Sequence, residues 1–295
     1  MRFVDGAIWR ASRTPEGIGT LAIELRADEL TARAWGQGAD WLLDSVPDLV
    51  GESDDWGGLD LAASPVLLAL RRRFPGVRLC RTGLVMDSLV PACLEQRVTG
   101  NEAWTAWRGL VWAHGEAAAD TAGGSAQPPP VDSVAEANFE EGPRLRVAAD
   151  PAALRAVPSW DWHRFGVDLQ RHKAIRAAAT VAGRLEECVA MTVDGDFGGA
   201  RSRLRLVPGV GEWTAAETAL RALGDPDAVS VGDFHLKNLV GYVLAGSHRT
   251  DDATMLELLE PWRGQRARVI RLIELSGVTP PKCGPRFSPN DIRRI

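Results

Sequence analysis

The stretch Leu206–Ala215, LVPGVGEWTA, places Pro208, Gly209 and Gly211 inside a region otherwise of helical period. Proline lacks an amide hydrogen and fixes its φ, while glycine adopts backbone angles closed to other residues, so one helix cannot run through. The chain must make two helices joined by Pro208-Gly209-Val210-Gly211, with the second beginning at Glu212. Such a turn aims main-chain N–H groups outward at a helix N-terminus, where unpaired amides and the helix dipole favour an anion. Leu206 and Val210 are expected to point back between the two helices. A plain surface turn would need nothing more, but a second feature points to a site. Asp233, in DAVSVGDFHLKNL, ends an extended segment where another helix should start. An acid there either caps that helix or presents a carboxylate to the groove beside the turn.

The rest of the chain divides by pattern. AIWRAS, GTLAIELRA and ELTARAWG alternate apolar and polar residues and predict an antiparallel meander, with turns at Pro15-Glu16-Gly17 and Ala27-Asp28. GADWLLDSV predicts a turn or two of helix, and SPVLLALRRRF a helix capped by Ser64 with Pro65 first. Residues 1–79 are thus expected to form a small β/α lobe, and 80–295 a helical region. The helix over NEAWTAWRGLVWAHG carries Trp104, Trp107 and Trp112 at core spacing. Residues 115–142, rich in Ala, Gly, Pro and acids, predict a linker or insertion. Asp150 caps PAALRAV, a long amphipathic helix lies within residues 160–191, and further helices cover FHLKNLVGYVL and PWRGQRARVIRLIEL. The basic run Arg171, His172, Lys173 fits a solvated helix face.

Composition narrows the function classes. At 295 residues, 45% hydrophobic and 25% charged, the chain has ordinary globular proportions. No apolar run reaches the roughly 20 residues that span a bilayer, and MRFVDGAIWRAS lacks the apolar centre of a signal peptide; a cytoplasmic monomer is expected. Cys80, Cys93, Cys188 and Cys283 stand singly, which argues against a thiolate metal site or disulfide framework. The net charge of −5 disfavours a polyanion partner. Its distribution softens that objection, because residues 1–200 are net acidic and 201–295 net basic.

Residues 206–240, LVPGVGEWTAAETALRALGDPDAVSVGDFHLKNLV, resemble the signature of the helix-hairpin-helix DNA glycosylase superfamily: a Gly-Val-Gly hairpin, a Gly/Pro loop, then Asp. DGAIWRAS, TARAWGQGADWLL and EPWRGQRARVIRLI resemble its alkylpurine branch, the 3-methyladenine DNA glycosylase II family. The resemblance implies an α+β fold: a mostly α-helical helix-hairpin-helix core with a small N-terminal antiparallel β/α lobe. It implies double-stranded DNA with damaged bases as partner and Asp233 as catalytic carboxylate. Gly209, Val210 and Gly211 would contact phosphate, and Thr214 would belong to the second hairpin helix. ACLEQRVTGNEAWTAWRGLV resembles the superfamily's Gln-containing helix pair, so Gln96 would lie near the lesion strand and Arg97 would fill the gap left by an extruded base. His235 would sit near the DNA backbone.

An alkylated purine carries positive charge, which an aromatic wall attracts; Trp162, Trp160, Trp213 and Phe197 are the candidates. One departure from the family is Arg271, which falls roughly where some alkylpurine enzymes place a tryptophan. Arg263, Arg266 and Arg268 could then serve DNA phosphates. Another departure is Trp213, which occupies the place where strand-cleaving relatives carry a Schiff-base lysine. A monofunctional glycosylase that hydrolyses the N-glycosidic bond of 3-methyladenine- and 7-methylguanine-type bases is therefore expected, with Asp233 stabilising an oxocarbenium-like state. No cofactor and no iron–sulfur cluster are expected, leaving room only for a structural monovalent cation at the hairpin. The alternative is a non-catalytic lesion- or DNA-binding protein that keeps the hairpin, and a third is a helical scaffold without DNA. The aspartate at the signature position favours the enzyme.

Overall fold

The computed structural model describes residues 1–27, 29–119, 121 and 143–280. Asp28, Cys283 and most of the expected insertion lie outside the described residues. Strands β1 (Arg2–Val4), β2 (Ala7–Thr14), β3 (Gly17–Arg26) and β4 (Glu29–Gly36) form an antiparallel meander in chain order. The three strands expected from alternation are β2, β3 and β4. β1 is additional, folded back by Asp5-Gly6, both at positive φ, the geometry that matches sheet twist in a two-residue hairpin. At Pro15-Glu16 the register Thr14↔Gly17 is closed by a 2.9 Å bond that the Thr14 hydroxyl donates to the Gly17 carbonyl.

Both sheet faces are covered, so β3 is buried continuously rather than alternately. Helices α1 (Ala39–Asp44) and α2 (Val46–Leu49) bring Leu42 and Val46 onto Leu21, Ile23 and Ala34. On the other face Trp9 stacks on Trp35 at 5.4 Å, with Ala119 and Leu145 packed beside them. Ala119 belongs to the start of the expected insertion, and Leu145 lies just after its end. Strand β5 (Glu116–Ala117) pairs with β6 (Arg146–Val147), and the Thr20 hydroxyl donates to the Ala119 carbonyl at 3.0 Å. The described residues on either side of 122–142 are thus tied to each other and to the sheet.

The helical body holds two apolar clusters. The larger joins α4 (Val85–Leu94), α5 (Gly100–His114), α6 (Pro151–Ala156), α7 (Ser159–Arg164), α8 (Leu169–Thr180), α9 (Ala182–Glu186), α10 (Cys188–Val193), α11 (Phe197–Arg205) and α12 (Glu212–Leu223). The second joins α3 (Pro65–Arg73) to α13 (Leu236–Ala245), α14 (Asp252–Leu259) and α15 (Arg266–Leu275). Ser64 accepts from the Leu67 amide and Asp150 from the Ala153 amide, the two N-caps expected. A capping box between Thr99 and Glu102 starts α5.

Several expectations change. α3, grouped by pattern with the N-terminal lobe, packs its Leu67 and Leu70 with the C-terminal helices instead. The long helix expected within 160–191 is four shorter ones, broken at Gly166, with φ +77°, and again near Val181 and Glu187. Trp104 and Trp112 are exposed; Ala103, Ala106 and Leu110 form the buried stripe of α5, with only Trp107 of the three tryptophans packed on the core. Arg171 and His172 are buried rather than solvated. No helix among the described residues is long and apolar enough to cross a membrane.

Candidate active site

α11 and α12 form the two arms of the hairpin. Val207 and Val210 are buried between them and the neighbouring helices, and the Val210 amide donates to the Val207 carbonyl at 3.0 Å. Leu206, expected to point inward, is 82% exposed; the inward residue is its neighbour Val207. The two glycines differ. Gly209 has φ +88°, and a Cβ there would lie 2.7 Å from the Ala174 Cβ of α8. Gly211 has φ −88°, and a Cβ there would meet nothing within 4 Å. Gly209 is required by backbone and packing, whereas Gly211 faces open space. Gly211 supplies no side-chain cap to α12, so that helix starts with amides free of side-chain acceptors.

Gln96 follows α4 and braces the turn from behind. Its side-chain amide donates to the Gly209 carbonyl at 3.0 Å and to the Thr214 hydroxyl at 2.8 Å. Thr214 is 2% exposed. Its hydroxyl is committed to Gln96, so Thr214 supports the hairpin from inside and offers DNA no surface. Arg171 holds the end of α4, donating to the Leu94 carbonyl at 2.9 Å and to Asp168 at 2.7 Å. Arg97, the next residue after Gln96, is exposed with φ +56°, a backbone cost for a residue with a Cβ. The Gln96 brace therefore couples an exposed, strained arginine tip to the hairpin.

Asp233 does both things its position allowed. Oδ1 accepts from the amides of His235, at 2.7 Å, and Leu236, at 2.8 Å, capping α13. Oδ2 accepts from the Trp213 indole N–H at 3.2 Å, which leaves that oxygen further acceptor capacity. The loop before it is fixed from α14: Asp252 accepts from the Gly232 amide at 2.9 Å and pairs with Lys237 at 2.9 Å. His235 and Phe234 are both exposed, their rings edge-to-face at 4.9 Å. Phe234, exposed beside the carboxylate, was not singled out from sequence, although its adjacency to Asp233 was a usable signal.

Asp233 lines a cavity of about 140 Å³ at the seam of the two helical clusters, well below the ~300–1,000 Å³ of drug-sized pockets. α12 contributes Glu217 and Leu220, the loop Ala228 and Ser230, and α15 Arg271 and Glu274. Ala267 lines it as well, and Ala228 and Ala267 pack with Ala216, small side chains that leave the space open. Glu217 pairs with Arg221 at 2.8 Å and accepts from the Ser230 hydroxyl. Burial pushes its carboxyl above the usual range; Arg221 and Ser230 pull it back, and the charges of Glu95 and Asp233 push it up. Arg271, expected where an aromatic would stand, does line the cavity, paired with Glu274 at 3.3 Å.

Of the four expected wall aromatics, only Trp213 reaches Asp233. Trp162 is 1% exposed, stacked on buried His172 at 5.1 Å inside the larger cluster, so neither ring face is available to a base. Trp160 is exposed on α7 and Phe197 packs on the main core; neither lines the cavity. Arg266 and Arg268 are not phosphate contacts either. They are mostly buried and paired with Asp227, at 2.6 Å, and Asp54, while Arg263 pairs locally with Glu260 at 2.7 Å. Periodicity marks a residue as inward or outward on its own helix, but it cannot say which distant element meets it.

No protein-family model matches the chain. It is 32% identical over 196 residues, 66% of its length, to "Probable bifunctional transcriptional activator/DNA repair enzyme AlkA" of Mycobacterium tuberculosis, and spans 33% of that protein. Over 121 residues, 41% of its length, it is 32% identical to "DNA-3-methyladenine glycosylase 2" of Escherichia coli, spanning 38% of it. The chain thus spans a little over a third, or less, of the curated relatives it matches. The structure of a 3-methyladenine DNA-glycosylase from Archaeoglobus fulgidus superposes with a TM-score of 0.68 at 16% identity, covering 92% of this chain and 86% of that one. The Schizosaccharomyces pombe 3-methyladenine DNA glycosylase in complex with abasic DNA superposes at 0.54 with 15% identity, covering 77% and 96%. Hairpin, aspartate and N-terminal sheet therefore stand in one α+β architecture: the chain has the helix-hairpin-helix DNA glycosylase fold and is related in sequence to the AlkA-type 3-methyladenine DNA glycosylases.

Proposed function

We propose that the chain is a monofunctional DNA glycosylase that removes alkylated purines of the 3-methyladenine and 7-methylguanine type. The observation that carries this is the Asp233 carboxylate, held by two main-chain amides and one indole at the mouth of a ring-sized cavity beside the hairpin. The names of the sequence relatives point to the same chemistry.

The parts divide the work. The open amides at Gly211 and the start of α12 receive a phosphate, with Gly209 and Val210 setting the turn's shape. The exposed Arg97 tip enters the space vacated when a base leaves the stack, offsetting part of an unstacking cost of a few kcal/mol. Breaking the N-glycosidic bond develops positive charge on the sugar, and a carboxylate already fixed in place stabilises it without reorganising. The leaving base is itself cationic, so it departs without a strong acid. Trp213 stands where a lysine nucleophile would be needed for strand cleavage; the product is an intact strand with an abasic site.

The test is incubation with methylated duplex DNA, separating free bases by chromatography and scoring strands on a denaturing gel. Release of methyladenine with unbroken strands is the expected result. Binding without release would leave a lesion-binding protein, and nicking without added base would overturn the monofunctional assignment.

A further inference from the structure

The cavity beside Asp233 has no Trp, Phe or Tyr among its lining residues; the imidazole of His235 reaches its wall from an exposed position, edge-to-face with Phe234. Its apolar part comes from Leu79, Leu220, Leu236, Leu239 and Ile270, so a planar guest meets mainly aliphatic surface. Discrimination between bases of one shape must then come from charge and hydrogen bonding. The charges in and behind the wall are unevenly matched. Arg271 pairs with Glu274, which neutralises both. Arg221 is shared between Glu217, at 2.8 Å, and Glu95, at 3.1 Å, one cation for two carboxylates. With Asp233 the cavity carries excess negative charge, in a region sheltered enough that the charge is poorly screened.

Glu217 is the group that delivers this charge to a guest. Its side chain is only 16% exposed, and it is anchored by Arg221 on Oε2 and by Ser230 on Oε1. A carboxylate offers about four acceptor sites, so both oxygens keep capacity after these bonds. Glu95 shares Arg221 but is not in the wall, and Glu274 is engaged by Arg271.

We propose that Glu217 is the specificity-determining residue of the cavity, selecting a positively charged base over a neutral base of the same shape by charge pairing. The proposal rests on the glycosylase reading for its biological setting, but the binding step stands on the cavity alone. A cationic guest also relieves the strain of holding the buried Glu217 charge near Asp233. A neutral guest leaves that strain in place.

The experiment measures binding of two free bases by calorimetry, 7,9-dimethyladeninium as fixed cation and 7-deaza-7,9-dimethyladenine as its neutral isostere, to wild type, Glu217→Gln and Glu217→Asp. Wild type is expected to bind the cation at least tenfold more tightly. Glu217→Gln, which keeps shape and an acceptor for Ser230, should lose at least tenfold for the cation and stay within about twofold for the neutral base. Glu217→Asp should recover most of the preference, and matching thermal midpoints exclude misfolding as the cause. Equal affinity of wild type for both bases, or an equal loss for both in Glu217→Gln, overturns the proposal. Cation preference without base release from methylated DNA would overturn the glycosylase reading and leave this one standing. Base release with an unchanged cation preference in Glu217→Gln would do the reverse.

Discussion

The two hairpin glycines should fail in different ways when each gains a methyl group. At Gly209, φ +88° is unfavourable for any residue with a Cβ, costing about 1–2 kcal/mol. The new Cβ would also lie 2.7 Å from that of Ala174, on a helix whose neighbours Ile175 and Ala178 are fully buried and cannot retreat; overpacking of this kind costs about 1–3 kcal/mol. Gly209→Ala should therefore lose roughly 2–5 kcal/mol of stability. Gly211→Ala meets nothing within 4 Å and sits at an ordinary φ, so its cost is about 0.5–1 kcal/mol, the difference between Gly and Ala at an N-cap. Its methyl group instead occupies the space a phosphate must approach. Loss of one charge-assisted hydrogen bond, about 1.5–3 kcal/mol, would weaken DNA binding by roughly ten- to a hundredfold. Urea unfolding gives the first quantity, and a fluorescence titration with abasic-analogue duplex gives the second. A stable Gly209→Ala protein, or a Gly211→Ala protein that binds duplex like wild type, would refute the division of roles.

Two further perturbations test the supports. Gln96→Ala removes both bonds that brace the turn and leaves the buried Thr214 hydroxyl without its donor; a loss of about 1–3 kcal/mol is expected by urea unfolding, and an unchanged midpoint would show the brace to be incidental. Asp87, in the first turn of α4 with Arg10 of β2 at 3.9 Å, has its carboxyl pushed up to about 6 by burial, offset in part by Arg10. Because the folded value exceeds the unfolded one, its contribution to stability falls as pH rises from about 4 through 6, by up to about 3 kcal/mol. The stability of Asp87→Asn relative to wild type should therefore rise by up to that amount between pH 4 and 7.5, whatever the constant cost of losing Arg10's partner. A difference independent of pH would contradict the shift.

What was legible in the sequence was local. The Pro-Gly-Val-Gly turn, the strands β2 to β4 and the caps Ser64 and Asp150 depend on residues a few positions apart, and the structure forms them where the pattern says. Trp213 and Asp233 both stand in the signature segment, but the sequence marks Trp213 as one of four candidate wall aromatics, and its bond to Asp233 is seen only in the fold. What was hidden depended on partners far away in the chain. Arg266 and Arg268 look like a basic helix until Asp227 and Asp54 close on them. Trp162 looks like a wall until the larger cluster surrounds it. Glu217 looks like an ordinary polar position on α12, because the α15 side chains that enclose it lie some fifty residues further on. The placement of α3 with the C-terminal helices had no local signal, since its apolar stripe fits either neighbour.

The central claim is that a pre-fixed negative charge at Asp233 stabilises the departing sugar. Asp233→Asn keeps an oxygen to cap α13 and the shape of the side chain; it removes the charge and the acceptor facing the Trp213 indole, where an NH2 now stands. Single-turnover release of methyladenine from methylated duplex should fall by about a hundredfold or more, while affinity for an abasic-analogue duplex stays within a few-fold of wild type. Release within tenfold of the wild-type rate, with binding intact, would contradict the account.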